Sequence, residues 1–299
     1  MTRHLLVGAG LAAAAALLVT GCGSSPSPRP DIVFVSSRDG AYQLYGMNAD
    51  GSRQKRLTHE QGDPSTPRGL FFQVEPAWSP NGRLIAFASR RDGASHIFVM
   101  RVDGSGTRRL TDTKLDDGNP AWSPDGQRIA FDRGGDLYVM AADGMGARRL
   151  GKDLAEEAEP AWSPNGRWIA YSSRAPGTSV RELWLVHPDG SGRHRLTHLN
   201  ASSRTPAWSP NGQTIAFSTD TSGNIPEIYT IGADGKHRRR ITLSQAGSFE
   251  PSWSADGTKI LFWSDGIFTV DLHGAQQELT SGENDSSPVW RPVQPRPGS

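Results

Sequence analysis

Three glutamates carry the strongest chemical signal in this chain. Glu75, Glu159 and Glu250 each precede a proline in a recurring stretch of the form Pro-x-Trp-Ser, and the intervening copies have Asn119, Thr205 and Ser287 at the same position. Carboxylates therefore fall on every second copy. If the copies surround a common axis, three carboxylates face it together, and clustered oxygens attract a cation or the basic end of a peptide. The same residues also have a purely structural use, in which each glutamate pairs with a turn arginine such as Arg38, Arg90 or Arg174, or accepts a backbone N–H. Both uses are compatible with the sequence.

A second candidate is the pair Phe71-Phe72, in the long segment 59–74 among glycine, proline and charged residues. Adjacent phenylalanines on a surface loop can anchor a partner, because aromatic side chains dominate interface energetics. Folded back, they would instead plug the centre of the molecule or cover the structure beneath. Enzymatic patterns are weak by comparison. The chain has no Gly-x-Ser-x-Gly stretch, and its histidines at 59, 96, 187, 194, 198, 237 and 273 form no His-Glu-x-x-His pair and no compact metal spacing. His187 and His194 flank one turn and could meet. Gly104-Ser105-Gly106 and Gly190-Ser191-Gly192 look like phosphate loops, but no helical pattern follows either, so hairpin turns explain them. The reading is a non-catalytic chain with no metal set and no cofactor.

The elements that must position the glutamates follow from the repeat. Pro-Ala-Trp-Ser-Pro-Asn-Gly at 76–82 returns at 120, 160, 206 and 251, and ends truncated at Pro288-Val289-Trp290. A period of about 40–45 residues with four short strands per unit is the signature of a β-propeller blade. Proline donates no hydrogen bond and suits the first residue of an innermost strand. Tryptophan fills the wedge between blades, and Ser-Pro-Asn-Gly makes a tight turn into the second strand. Second strands such as Ile129-Ala130-Phe131 are apolar throughout, as a strand covered on both faces should be. Third strands lead into Asp-Gly turns at Asp103, Asp143, Asp189 and Asp234, and outer strands end in Leu-Thr or Ile-Thr. Residues 31–58 lack an innermost strand, whereas Pro288-Val289-Trp290 is an innermost strand and nothing more. Joining them completes one blade, giving an all-β, six-bladed propeller over residues 31–291 in which the C-terminal innermost strand pairs with the N-terminal strands.

The start of the chain differs in kind. Residues 1–21 have a basic start and an alanine-rich apolar run at 5–19, too short to cross a bilayer comfortably, and read as a signal peptide. Val19-Thr20-Gly21-Cys22 resembles the lipobox of bacterial lipoproteins, which implies that Cys22, the single cysteine of the chain, carries lipid and becomes the new N-terminus. Residues 22–30 then form a Pro/Ser tether, and residues 292–299 a flexible tail. Removing residues 1–21 takes away Arg3 and no acid, leaving basic and acidic residues balanced. Balance gives no reason to expect nucleic-acid binding.

The combination Pro-x-Trp-Ser-Pro-Asp-Gly, Ile-Ala-Phe, Ser-x-Arg-Asp-Gly, Asp-Gly and Leu-Thr resembles the TolB-type β-propeller repeat family. Three places depart from it: Ala255 stands for the turn proline, Leu150-Gly151 for Leu-Thr, and His273-Gly274 for Asp-Gly. TolB itself has an α/β domain ahead of its propeller, and the stretch from Cys22 to Asp31 leaves no room for one. With the signal peptide and the lipobox, the expectation is an exported, lipid-anchored monomer, and the family resemblance implies a place in the bacterial envelope binding a protein or envelope polymer in transport or envelope maintenance. The competing implication is a carbohydrate-binding protein or polysaccharide-active enzyme using the same funnel.

Overall fold

The computed structural model describes residues 29–59, 75–151, 155–221, 225–282 and 284–292, without the side chains of Arg91 and Asp92. The expectations for the signal peptide, Cys22, Phe71, Phe72 and residues 293–299 lie outside the described residues. The strands form six four-stranded sheets, each antiparallel, in the order of a six-bladed propeller. Blades are numbered here round the ring from the closing one, and each runs from an inner strand beside the axis to an outer strand at the rim.

Blade 1 joins the two ends of the propeller, as the repeat predicts. Ile32–Ser36 pairs with Gln43–Met47 on one side and with Asp285–Trp290 on the other. Contacts at both ends of the seam hold it. Arg291 N–H donates to the Asp31 carbonyl at 2.7 Å, and its guanidinium reaches Asp31 Oδ1 at 2.8 Å. At the opposite end Arg38 grips both oxygens of buried Asp285 at 2.8 and 2.7 Å. Both contacts come from one guanidinium nitrogen, Nη2, while Arg38 Nε donates to Ser36 at 2.8 Å, so the arginine ties the second strand to the inner strand.

The Ile-Ala-Phe motif explains how blades nest. In blade 2, Ile85 and Phe87 pack toward blade 1 with Val33 and Val35, while Ala86 and Ala88 face blade 3 and receive Trp122, Ile129 and Phe131. Large side chains on one face and alanine on the other let each sheet seat closely on the next. The core is thus six separate clusters, one at each blade boundary. Trp78, Trp122 and Trp162 are buried in three of them, each burial worth about 2–3 kcal/mol.

The three departures from the repeat have local compensations. Each turn proline lies against the turn glycine of the following blade, with Pro80 near Gly126, Pro124 near Gly166, Pro164 near Gly212 and Pro210 near Gly257. Ala255 is followed by blade 1, whose inner and second strands come from opposite ends of the propeller, so there is no turn glycine for a proline to cover. In other blades the Thr hydroxyl of the Leu-Thr or Ile-Thr pair accepts an N–H from the third strand, as Thr197 does from Leu183 at 2.9 Å. Blade 3 has Gly151 there, and the buried carboxylate of Glu157 accepts the Leu137 N–H instead, at 3.2 Å. In blade 6, Asp271 replaces the missing turn aspartate, accepting from His273 N–H at 2.8 Å and Ala275 N–H at 2.9 Å.

One expectation needs correction. The repeat proline does not begin the inner strand: Pro120 lies inside Asp117–Trp122 and Pro160 inside Glu156–Trp162. It sits at a β-bulge, where the register slips between Gly118 and Ala121 and between Ala158 and Ala161. A bulge tolerates a missing donor as well as a strand end does. Outer strands are also shorter than the repeat suggests, with Lys55–Arg56 in register and Leu57 keeping one N–H bond to the Leu44 carbonyl at 2.7 Å.

Candidate functional site: the acidic channel

The bulge brings the glutamates to the axis. Five pre-proline residues, Asn119, Glu159, Thr205, Glu250 and Ser287, have φ between 48° and 59°. This left-handed conformation is strained for residues with a β-carbon, at roughly 1–3 kcal/mol each. It is repeated round the ring and aligns all six pre-proline residues, Glu75 included, on one axial cavity of about 140 Å³ floored by the repeat prolines. The space suits a few waters or one chain end.

Each carboxylate has a defined partner on the following blade. Glu75 accepts the Asn119 N–H at 2.6 Å, Glu159 the Thr205 N–H at 2.9 Å, and Glu250 the Ser287 N–H at 2.8 Å. These N–H groups are freed from the ladder by the bulge, so every second blade boundary is sealed by a carboxyl oxygen that accepts a backbone N–H. The arginine pairings do not occur: Arg38 binds Asp285, Arg90 binds Asp116, and Arg174 binds Glu156. Of the structural alternatives, backbone capping is the one adopted.

Sequence reading missed Asp132, which accepts the Asn119 side-chain amide at 2.7 Å. Its signal lay in the repeat, since the position after Ile-Ala-Phe or Ile-Ala-Tyr is Ala88, Ser172 and Ser218 in other blades. Burial pushes the Asp132 carboxyl up to about 6, against the opposing pull of the Asn119 bond. Glu75 is driven well above the usual carboxylate range, by burial first and then by the charges of Asp132, Glu250 and Glu159. Glu250 is raised by burial, with Ser287 opposing and Glu159 adding. The cavity is therefore a hydrogen-bonding site in which Glu75, Glu250 and Asp132 hold their protons to higher pH than exposed carboxyls do. Among the described residues, no group of three or more His, Cys, Asp or Glu is placed to hold a metal ion.

The face leading into the channel is divided. Blades 1, 3 and 4 carry ion pairs beside the inner strands: Arg38–Asp285, Arg133–Asp117 at 2.6 Å, and Glu156 held by Arg174 and Arg181. Blade 6 has Phe249 against Trp263 instead, with ring centroids 4.9 Å apart. Ile225 and Leu243, on the adjoining loops, are 42% and 73% exposed. His187 and His194 do come together, but round Trp168, the first stacked at 3.8 Å and the second edge-on at 5.2 Å. They stand on the opposite, hairpin-turn face and are not part of the channel.

Six sheets closed by one composite blade, with a proline-ringed channel, define a β-propeller. The TolB beta propeller domain family matches residues 68–152 and 160–294, and the chain belongs to that family. It is 35% identical over 95 residues to the uncharacterized protein Atu1656 of Agrobacterium fabrum, covering 32% of this chain and 29% of that one. It is 38% identical over 66 residues to the Tol-Pal system protein TolB of Syntrophus aciditrophicus, covering 22% and 13%. The match thus spans less than a third of either curated relative. The crystal structure of TolB from Acinetobacter baumannii superimposes with a TM-score of 0.73 at 20% identity, covering 88% of this chain and 66% of that one, a likeness of fold.

Proposed function

We propose that this propeller is a non-catalytic, protein-binding module of the bacterial envelope, held to a membrane by lipid on Cys22 and receiving its partner on the loop face round the acidic channel. The observation that carries the reading is the ring of Glu75, Glu159 and Glu250 lining one cavity. A partner with a basic side chain or amino terminus meets oxygens already ordered by backbone bonds, and the apolar sector at Phe249 and Trp263 offers contact area beside them. Membership in the TolB beta propeller domain family, and a relative named for the Tol-Pal system, support an envelope partner.

The path of the chain fits an anchor at Cys22. Asp31 accepts from Arg291 N–H and from Ala49 N–H, which places the entry of the propeller on the hairpin-turn face. A nine-residue tether reaches about 30 Å when extended. Lipid on Cys22 then draws the turn face toward the bilayer and leaves the loop face free.

The test is cross-linking and pull-down from the native envelope, comparing wild type with a Glu75→Gln, Glu159→Gln, Glu250→Gln variant matched for thermal stability. Glutamine keeps an acceptor for each backbone N–H while removing the charge. Recovery of one protein by wild type and its loss in the variant is the expected result. No protein recovered by either, or turnover of a polysaccharide by the purified protein, would overturn the reading in favour of glycan chemistry in the same funnel.

A further inference from the structure

The rims of the six blades are not alike. Five outer strands are two residues long and consist of consecutive basic or imidazole residues: Lys55–Arg56, Arg108–Arg109, Arg148–Arg149, His194–Arg195 and Arg239–Arg240. Short length and cationic side chains both discourage another strand from pairing with an exposed edge. Some of these arginines also reach across to the next blade, as Arg108 does to the carbonyls of Asp143 and Ala142 at 3.2 and 3.3 Å.

Blade 6 has neither protection. Its outer strand, Gln276–Ser281, is six residues long and contains no Lys, Arg or Pro. It pairs only with Gly266–Asp271 and ends its sheet. Gln276, Gln277, Glu278 and Ser281 are exposed. A bulge at Leu279 bends the ladder, and the blade 1 turn at Gly51 lies against the Leu279 carbonyl, so the straight and uncovered portion is Gln276–Glu278. An edge of this length is a template for strand addition, in which main-chain bonds supply affinity and alternate side chains supply selectivity.

We propose that the outer edge of blade 6, Gln276–Ser281, is a docking site where an extended acidic segment of a partner protein adds as a fifth strand. The chemistry of the occupant follows from the neighbours. Side chains of an added strand point alternately toward the two adjoining blades, and the rims there are Arg239–Arg240 on blade 5 and Lys55–Arg56 on blade 1. Opposite charge favours acids on the incoming segment. Glu278 disfavours an acid directly opposite it and confines the acids to flanking positions. A second copy of this chain is a poor occupant, because symmetric pairing would bring two sets of the same cationic rims together.

The test uses the full propeller and an acetylated eight-residue peptide alternating glutamate and valine, at up to millimolar concentration. Amide hydrogen exchange is read across residues 276–281, with two control peptides: the same sequence N-methylated at alternate residues, and one alternating lysine and valine. Expected is at least a tenfold slowing of exchange within 276–281 by the acidic peptide, weakened by salt, and none by either control. Absence of protection, protection located elsewhere, or equal protection by the methylated peptide would overturn the proposal. So would slow exchange of 276–281 in the free protein together with a dimer on sedimentation, since a second copy would then hold the edge.

Discussion

The Oε2 atom of Glu75 accepts the backbone N–H of Asn119 at 2.6 Å, across the boundary between blades 2 and 3. Asn119 is the pre-proline residue of its own blade, with φ of 48° and an N–H turned out of the ladder by the bulge. One carboxylate thus offsets the strain of the next blade while lining the channel. Structural and binding uses of these glutamates are therefore separable by substitution, and the first prediction rests on that.

Glu159→Ala leaves the Thr205 N–H without its acceptor, and an orphaned buried donor costs about 1–3 kcal/mol. Glu159→Gln removes the same charge but keeps an acceptor oxygen, so its loss should stay under about 1 kcal/mol. Urea unfolding of the two variants checks this. Equal midpoints would mean that the N–H is served by water in the channel and that the carboxylate does not seal the boundary.

Asp132 makes a prediction in pH. Its carboxyl stands at about 6 in the folded chain against an ordinary 3.8, with burial as the main cause. Between these values the folded state binds more protons than the unfolded one, so stability is fully present below the lower value and falls as pH rises through the upper. Asp132→Asn lacks this titration. Relative to the variant, wild type should lose about 1–3 kcal/mol between pH 4 and pH 6.5, a range discounted for the partial exposure of the side chain. Chemical denaturation of both proteins across that range is the measurement, and a pH-independent difference would refute the burial argument.

The spacing of Pro-x-Trp-Ser was enough to read blade number and closure, because each motif residue has a geometric duty that only a wedge-shaped sheet supplies. Even the departures were intelligible afterwards: Ala255 has no glycine to cover, and Glu157 takes over from the absent hydroxyl at Gly151. The destination of the glutamates was not legible. Whether Glu75 reaches an arginine on its own face or an N–H on the next blade depends on the bulge, and the bulge places two residues, Asn119 and Pro120, against one on the partner strand, Phe131, without altering the motif. Asp132 was hidden for a related reason, since its importance comes from Asn119 of the inner strand turning back toward it.

The turn glycines separate backbone strain from collision. Gly104 and Gly274 occupy the same turn in blades 2 and 6, with φ of 88° and 93°. A β-carbon on either suffers the left-handed penalty of roughly 1–2 kcal/mol. At Gly104 it would also be driven into the Leu57 carbonyl oxygen of blade 1, whereas at Gly274 the corresponding Ile241 oxygen is 3.6 Å away, an ordinary contact. The Leu57 carbonyl belongs to the rim of a neighbouring sheet and cannot retreat without opening the wedge between blades. Gly104→Ala should therefore lose about 3 kcal/mol or more, and Gly274→Ala only the conformational share of about 1–2 kcal/mol. Thermal unfolding of the two variants decides the point. If they lose equally, the close approach of turn to rim is soft, and blade spacing is set by the Ile-Ala-Phe strands alone.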